Sequence, residues 1–520
     1  MATPTDSGSD SDEINGADEI PEEEEEEEDT EYEEVEEEEE EELDPAKERE
    51  RLKSIFRRLN TDPVHIWVHD VVVKGNSKTK DAIIQAEISD LFKKPGTMQE
   101  LVAAASIANA RLKQLDVFDS VSITLDAGPT ELPGTTNVVI EVVEASNPLT
   151  GNVGVFSKPE ARSWSLEGSL KLKNLFGFAD IWDTSGAFGW DQSLEISTGV
   201  WVPRFRSVPT PLSARVFLLS QDWLKFSSYK ERLMGLSFGL LSSNNHDLSY
   251  NLTWRTLTDP TRMSSPSIRR QLGHNVLSAL KYCYKIDRRN SILRPRSGYA
   301  FSSSSQVSGL WDIRSLKFFR QEFDLRAAMP LGFWNAALNV GLSAGAILPL
   351  GRDFTKLSTS VPDRFFLGGH SSLVCGLGGP SSLLGFRTRG LGPTDMRRVI
   401  NPNKDEGLSN QCDGQDYVGG DLAVTAFADV SFDLPLRIFK DAGIHGHAFV
   451  CAGNLAKLTE GEIKNFSIQR FMNTFRSSAG VGVILPTKFF RVEINYCHIL
   501  KQFEHDHGKN GIQFSFSSPL

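Results

Sequence analysis

The chain has 520 residues, with 69 Asp plus Glu against 55 Lys plus Arg, but 25 of the acids and none of the bases fall in residues 1–44, so the remainder is basic. No run of 18 apolar residues occurs, which excludes a transmembrane helix and leaves open a membrane β-barrel, whose strands need only about 9–11 residues with every second one apolar. The five cysteines (283, 375, 412, 451, 497) form no C-x-x-C pair, and the pairs His445/His447 and His505/His507 have no third ligand nearby in sequence, so neither a zinc site nor a disulfide framework is expected.

In chain order, the acidic run up to Asp44 cannot bury apolar surface and repels itself, which predicts a disordered tail over 1–44. It also lacks the apolar core of a secretory signal and the Arg-rich, acid-poor character of an organelle presequence. Over 45–62, Asp44-Pro45 reads as a helix start, and Leu52, Ile55, Phe56 and Leu59 form one apolar stripe opposite Lys47, Arg49, Arg51, Lys53, Arg57 and Arg58. That pattern fits an amphipathic helix or linker. Residues 63–147 read as a compact α+β unit: a strand from Val64 to Val73, helices Lys78–Phe92 and Met98–Leu115, then strands Ser120–Leu125 and Asn137–Val143.

From 148 to 520 the periodicity switches to two. Leu248, Tyr250, Leu252 and Trp254 alternate with Ser249, Asn251, Thr253 and Arg255, and similar alternation recurs over Leu338–Ala346, Val424–Leu434, Phe490–His498 and Ile512–Phe516. A soluble sandwich would alternate in the same way. Some 370 residues of strands with no helices between them favour a closed barrel of about sixteen strands, because closure removes the edges so long a sheet would expose. One stretch interrupts the strands, RFFLGGHSSLVCGLGGPSSLLGFRTRGLGP from Arg364 to Pro393, with eight glycines. Gly369-His370-Ser371 has Leu373 where a nucleophile elbow needs glycine, and Gly376-Leu377-Gly378 has Ser381 where a dinucleotide loop needs one. With no acid/base, nucleophile or metal constellation elsewhere, the chain is not expected to be an enzyme or to hold a cofactor.

Phe365-Phe366-Leu367-Gly368-Gly369, Leu384-Gly385-Phe386-Arg387 and Gly392-Pro393 resemble the signature loop of the bacterial surface antigen superfamily, the outer-membrane β-barrel assembly and translocation proteins. The chain departs from that motif at Leu384, where the superfamily places arginine. Val73-Lys74-Gly75-Asn76 and Leu115–Val121 resemble the polypeptide-transport-associated (POTRA) domain that precedes such barrels. Asn174-Leu175-Phe176-Gly177, Asp287-Arg288-Arg289-Asn290 with Pro295 and Gly298, and Gly419-Gly420 before Leu434-Pro435 resemble other barrel landmarks. Lys509-Asn510-Gly511-Ile512-Gln513-Phe514-Ser515-Phe516 is similar to the β-signal of mitochondrial barrel precursors. A single POTRA-like unit with this signal looks most like the mitochondrial sorting and assembly branch, ahead of a plastid envelope relative and of a passive diffusion pore.

The resemblance implies insertion and assembly of β-barrel precursors in the mitochondrial outer membrane. The partners it implies are precursor proteins, membrane lipids and companion subunits, with no nucleic acid or small-molecule substrate. The tail and POTRA-like unit would face the intermembrane space. It places a lateral seam between a first strand near Gly151, Asn152 and Gly154 and a last strand carrying Lys509, Gly511, Phe514 and Phe516. In the superfamily the signature arginine pins the loop to an acidic wall residue. With Leu384 in its place, Arg387 is expected to take over, with Asp433, or Asp429 on the same strand, as its partner.

Overall fold

A computed structural model describes residues 64–517 apart from 94–95, 159–162, 191, 205–209, 244, 311–315, 352–356, 370, 399–413, 459–465 and 487–490. The acidic tail and the amphipathic stretch over 45–62 lie outside the described residues.

The small unit follows the expected β-α-α-β-β order: β1 (Trp67–Lys74), α1 (Asp81–Ile88), α2 (Met98–Gln114), β2 (Phe118–Ala127) and β3 (Thr135–Glu144). β3 is central, parallel to β1 and antiparallel to β2. α2 starts where the Thr97 side chain accepts the Glu100 N–H, an N-cap that satisfies one orphan donor of the first turn. Its Leu101, Ala104, Ala108 and Leu112, spaced three and four apart, are buried against Val138, Ile140 and Val142 of β3.

Sixteen strands then form one antiparallel sheet. They begin with β4 (Leu149–Lys158), β5 (Ser163–Lys173), β6 (Ile181–Gly189), β7 (Leu194–Val202), β8 (Leu212–Asp222), β9 (Lys230–Ser243), β10 (His246–Thr258), β11 (Gly273–Asp287), β12 (Gly298–Ser308), β13 (Phe318–Pro330) and β14 (Ala337–Pro349). After a long excursion holding the two-strand ladder β15 (Thr394–Met396) and β16 (Gln415–Tyr417), the sheet resumes with β17 (Leu422–Asp433), β18 (His445–Ala456), β19 (Arg476–Pro486), β20 (Arg491–Lys501) and β21 (Gly511–Ser517). Each strand pairs with its neighbour in chain order, β14 pairing with β17 across the excursion. Alternation sorts the side chains. On β13, Phe323, Leu325 and Met329 are exposed on the outer face while Asp324, Arg326 and Ala328 are buried inside. An apolar outside and a polar inside is the pattern of a membrane barrel.

The small domain is joined to the barrel rim through the turn between β5 and β6. Lys80 donates its N–H to Gly177 O at 3.0 Å, the Asn174 amide reaches Thr79 Oγ1 at 2.8 Å, and Ala179 is buried in the domain's own core. Glu144 organises the domain's side of this contact by accepting from the Lys78 and Thr79 backbone N–H groups and from the Ser77 and Thr79 hydroxyls. Burial pushes its carboxyl up, but those donors outweigh it and hold the pKa down to about 2. A second tie joins Arg204, just past β7, to Glu87 of α1 at 3.0 Å.

Candidate functional site

The excursion between β14 and β17 folds into the barrel and packs an apolar cluster against part of its inner wall. Leu367, Leu383, Leu384, Phe386 and Leu391 are each at most 1% exposed, and they pack with wall residues Phe449, Cys451, Leu455 and Cys497. At about 1.5–3 kcal/mol per fully buried large apolar side chain, this packing is the main force holding the loop. Gly368 and Gly369 join the loop's two halves, donating to Ser381 O at 3.1 Å and Phe386 O at 3.0 Å. Gly368 has φ +113°, and a Cβ there would stand 2.1 Å from Arg387 O, so glycine is required for the halves to meet. Gly392 also has positive φ, against Leu455, and Pro393 accepts the Val418 N–H.

The expected ion pair is not formed. Asp433 is held by Arg294 at 2.6 Å and by the Asn335 amide at 3.0 Å. Asp429 is held by His447 at 2.7 Å, and the other ring nitrogen of that histidine contacts Asn495. Arg387 is exposed. The physical reason is that both carboxylates already have partners, while Leu384 turns into the apolar cluster, 1% exposed, and brings no charge of its own. A guanidinium that does anchor the loop is that of Arg389. It lies 3.5 Å from the Trp223 ring centroid and 4.0 Å from that of Phe366, and it donates to Tyr229 Oη at 2.9 Å. The start of the loop is tied by Arg255, which forks onto Asp363 at 2.7 and 2.8 Å and meets Glu231 at 3.1 Å, all three groups buried.

The tip of the loop reaches the last hairpin. Lys509 donates its N–H to Gly385 O at 2.7 Å, Arg387 donates to His507 O at 2.9 Å, and His507 donates back to Gly390 O at 2.8 Å. Gly385 donates to Gln513 Oε1 at 3.2 Å, and Ser478 donates to Leu384 O at 2.5 Å. A short stretch of β-bridge, Phe386 opposite Gly508, therefore grips β21 from the lumen just before it begins. Periodicity alone did not reveal Gln513, His507, Ser478, Arg389 or the Glu231–Arg255–Asp363 triad as loop contacts. Arg255 and Gln513 do occupy inward positions of their alternating strands, which was the available signal.

β4 and β21 are the two ends of the sixteen-strand order. Their Cα atoms come within 8 Å of each other, yet no hydrogen-bonded ladder joins them among the described residues. Gly151 and Val153 of β4 share the outer face with Leu170 of β5, whereas Asn152 belongs to the alternate, inward set opposite Ser169, and Gly154 pairs with Glu167 in register. On β21, Ile512 and Phe514 are 58% and 57% exposed on the outside, and Gln513 and Ser515 are buried inside. Phe516 stands opposite Val492 in register, and its side chain lies outside the described residues. Gly511 opens the strand at φ +112°.

A sixteen-stranded antiparallel barrel with a loop folded into its lumen, a small domain on one rim and an unladdered junction between its terminal strands defines an outer-membrane barrel of the assembly and translocation type. Residues 174–518 match the Omp85 superfamily domain, about two thirds of the chain, and the chain belongs to that superfamily. It is similar to the sorting and assembly machinery component 50 homolog of Xenopus tropicalis, 28% identical over 91% of this chain and 92% of that one. The protein of the same name from Homo sapiens is also 28% identical, over 86% of this chain and 89% of that one. Among solved structures, BamA from Haemophilus ducreyi lacking POTRA domains 1–3 superposes with a TM-score of 0.68 at 16% identity, covering 87% of this chain and 84% of that chain.

Proposed function

We propose that this chain inserts and assembles β-barrel precursors in the mitochondrial outer membrane by offering the free edges of β4 and β21 as a template for incoming strands. The observation that carries the reading is the junction itself, two neighbouring edge strands without a ladder, one of them gripped from inside by the lumen loop. A precursor strand entering a bilayer has backbone donors and acceptors that lipid cannot satisfy, and an unpaired edge at membrane depth supplies their partners. The work is strand exchange and not bond chemistry, so the reading is non-enzymatic. The apolar plug of Leu367, Leu384 and Phe386 also fits an assembly barrel better than an open pore. The relatives are named as a component of a sorting and assembly machinery, which supports an assembly role alongside companion subunits; in this reading the membrane is the mitochondrial outer membrane and the small domain faces the intermembrane space.

Closing the seam covalently tests this. Val153 and Ile512 are both exposed on the outer face of their strands. Cysteines at the two positions joined by a short bis-maleimide are expected to lower the rate of precursor assembly at least tenfold relative to the singly modified variants. An unchanged rate in the joined protein contradicts the template reading.

A further inference from the structure

At the rim away from the small domain, one sector of the barrel's outer face departs from the apolar pattern. The outward residue nearest that rim is Phe188 on β6, Leu194 on β7, Val307 on β12, Phe319 on β13 and Leu348 on β14. On the strands between, β8 to β11, it is Asp222, Lys230, Thr258 and His274. Lys230 and Asp222 pair at 2.9 Å, so their charges cancel. The next outward residue of β9 is Arg232, opposite Ser220 on β8 and Thr256 on β10, and Thr256 in turn stands opposite His274 on β11. Its outward direction follows from the alternation: Met234 and Trp254 are 58% and 53% exposed on the outside, while Glu231 and Arg255 are buried within. The Arg232 side chain is exposed and has no hydrogen bond or ion pair among the described residues. The His274 ring is fixed from two sides, with Nδ1 hydrogen-bonded to the Thr256 hydroxyl at 2.9 Å and the ring centroid 5.8 Å from that of Trp254.

A lone guanidinium facing hydrocarbon is costly, and it is stabilised by a phosphate, onto which it can fork with two N–H groups. Arg232 is the third residue of the fourteen-residue β9, one outward position above Met234, which sets it at the headgroup level and not at the midplane. The nearest outward acid, Asp222, is already taken by Lys230, and Arg269 and Arg270, exposed in the turn leading into β11, add positive charge at the same rim. The surroundings select the source of the phosphate. Arg232, Thr256 and His274 look sideways, directly above the exposed apolar surfaces of Met234 and Trp254, which receive an acyl chain and not a hydrated ion or an acidic peptide. We propose that Arg232, Thr256 and His274 form a binding site for the phosphate of an anionic phospholipid, whose acyl chains lie along Met234, Leu236 and Trp254. Set on β9 to β11, in the middle of the strand order, the bound lipid leaves the β4 and β21 edges free. The proposal rests on the barrel spanning a bilayer and is independent of the template mechanism.

The test uses the full chain in phosphatidylcholine vesicles containing a small, fixed fraction of diazirine-bearing lipid, either dioleoyl phosphatidylglycerol or dioleoyl phosphatidylcholine with the diazirine on an acyl chain. After illumination, adducts are located by peptide mass spectrometry. On β9 to β11 the anionic lipid is expected to label about fivefold more than the zwitterionic one. Around Val450 of β18 and Val481 of β19, outward on another sector of the wall, the two lipids are expected to label equally. The Arg232→Gln, His274→Gln variant is expected to lose the preference on β9 to β11 while the barrel keeps its heat-modifiable migration. Equal labelling of β9 to β11 by the two lipids overturns the proposal, as does a preference that survives the double substitution. A preference of the same size on β18 and β19 reports the charge of the bilayer surface at large and also overturns it. Loss of the preference when inorganic phosphate replaces chloride at constant ionic strength assigns the three residues to a free anion, which overturns the lipid assignment.

Discussion

Installing the arginine that the superfamily motif carries, Leu384→Arg, is expected to release the lumen loop and not to pin it. Leu384 is 1% exposed among Leu383, Phe386, Leu455 and Cys497. The wall carboxylates that could receive a cation are engaged: Asp429 by His447, Asp433 by Arg294, Glu493 by Arg491 and Asp324 by Arg326. A buried guanidinium without a partner costs about 3–5 kcal/mol, which offsets the packing of about two of the buried apolar side chains that hold the loop and so raises its open population. Limited trypsin treatment of the folded barrel reads this directly, since Arg387 and Arg389 become cleavable when the loop leaves the lumen. Where cleavage follows the open population, the rate should rise more than a hundredfold while the barrel keeps its heat-modifiable migration. Protection equal to that of the unaltered chain would mean the lumen holds a carboxylate able to turn toward position 384.

Removing Arg255 is expected to be the most damaging single change on the barrel wall. The side chain is 5% exposed, meets Glu231 and forks onto Asp363 in the first turn of the loop. Arg255→Met leaves two buried carboxylates unpaired, a loss of about 3–5 kcal/mol, and should detach the start of the loop. The same principle predicts a rescue. Combining Arg255→Met with Glu231→Met and Asp363→Leu replaces the triad by apolar groups of similar volume and should restore most of the lost stability. The temperature at which the heat-modifiable band disappears measures both variants. A single substitution no worse than the triple one would show the triad to be dispensable.

Much of the architecture was legible before any coordinates because strand periodicity and barrel closure are local and additive. Leu248, Leu252 and Trp254 face outward and Thr253 and Arg255 inward as their alternation requires, and both terminal strands begin within three residues of where Gly151 and Gly511 marked them. The small domain's order followed from its switch between two-residue and helical periods. What sequence could not supply was the meeting of the loop with the wall. Gly385 and Gln513 are far apart in the chain and touch only because closing the barrel and folding the loop inward bring them together. The displaced ion pair has the same origin. Asp433 was read as a partner for the loop because it precedes Leu434-Pro435, but in space it stands beside Arg294 of the turn between β11 and β12, 139 residues earlier. Leu384 looked like a lost contact in isolation. Within the apolar cluster it is a different solution to holding the same loop, with packing in place of charge.

The most direct test of the template reading is a register map. Single cysteines along β4 from Gly151 to Val153 and along β21 from Gly511 to Phe514 would be paired, one at a time, with cysteines along the terminal strands of a mitochondrial β-barrel precursor arrested during assembly, and disulfide formation scored. The account predicts adducts at both edges that rise and fall with a period of two residues, shifting by one partner position for each step along the strand, as hydrogen-bonded strands require. Adducts confined to the small domain, or spread over the barrel with no register at either edge, would contradict it.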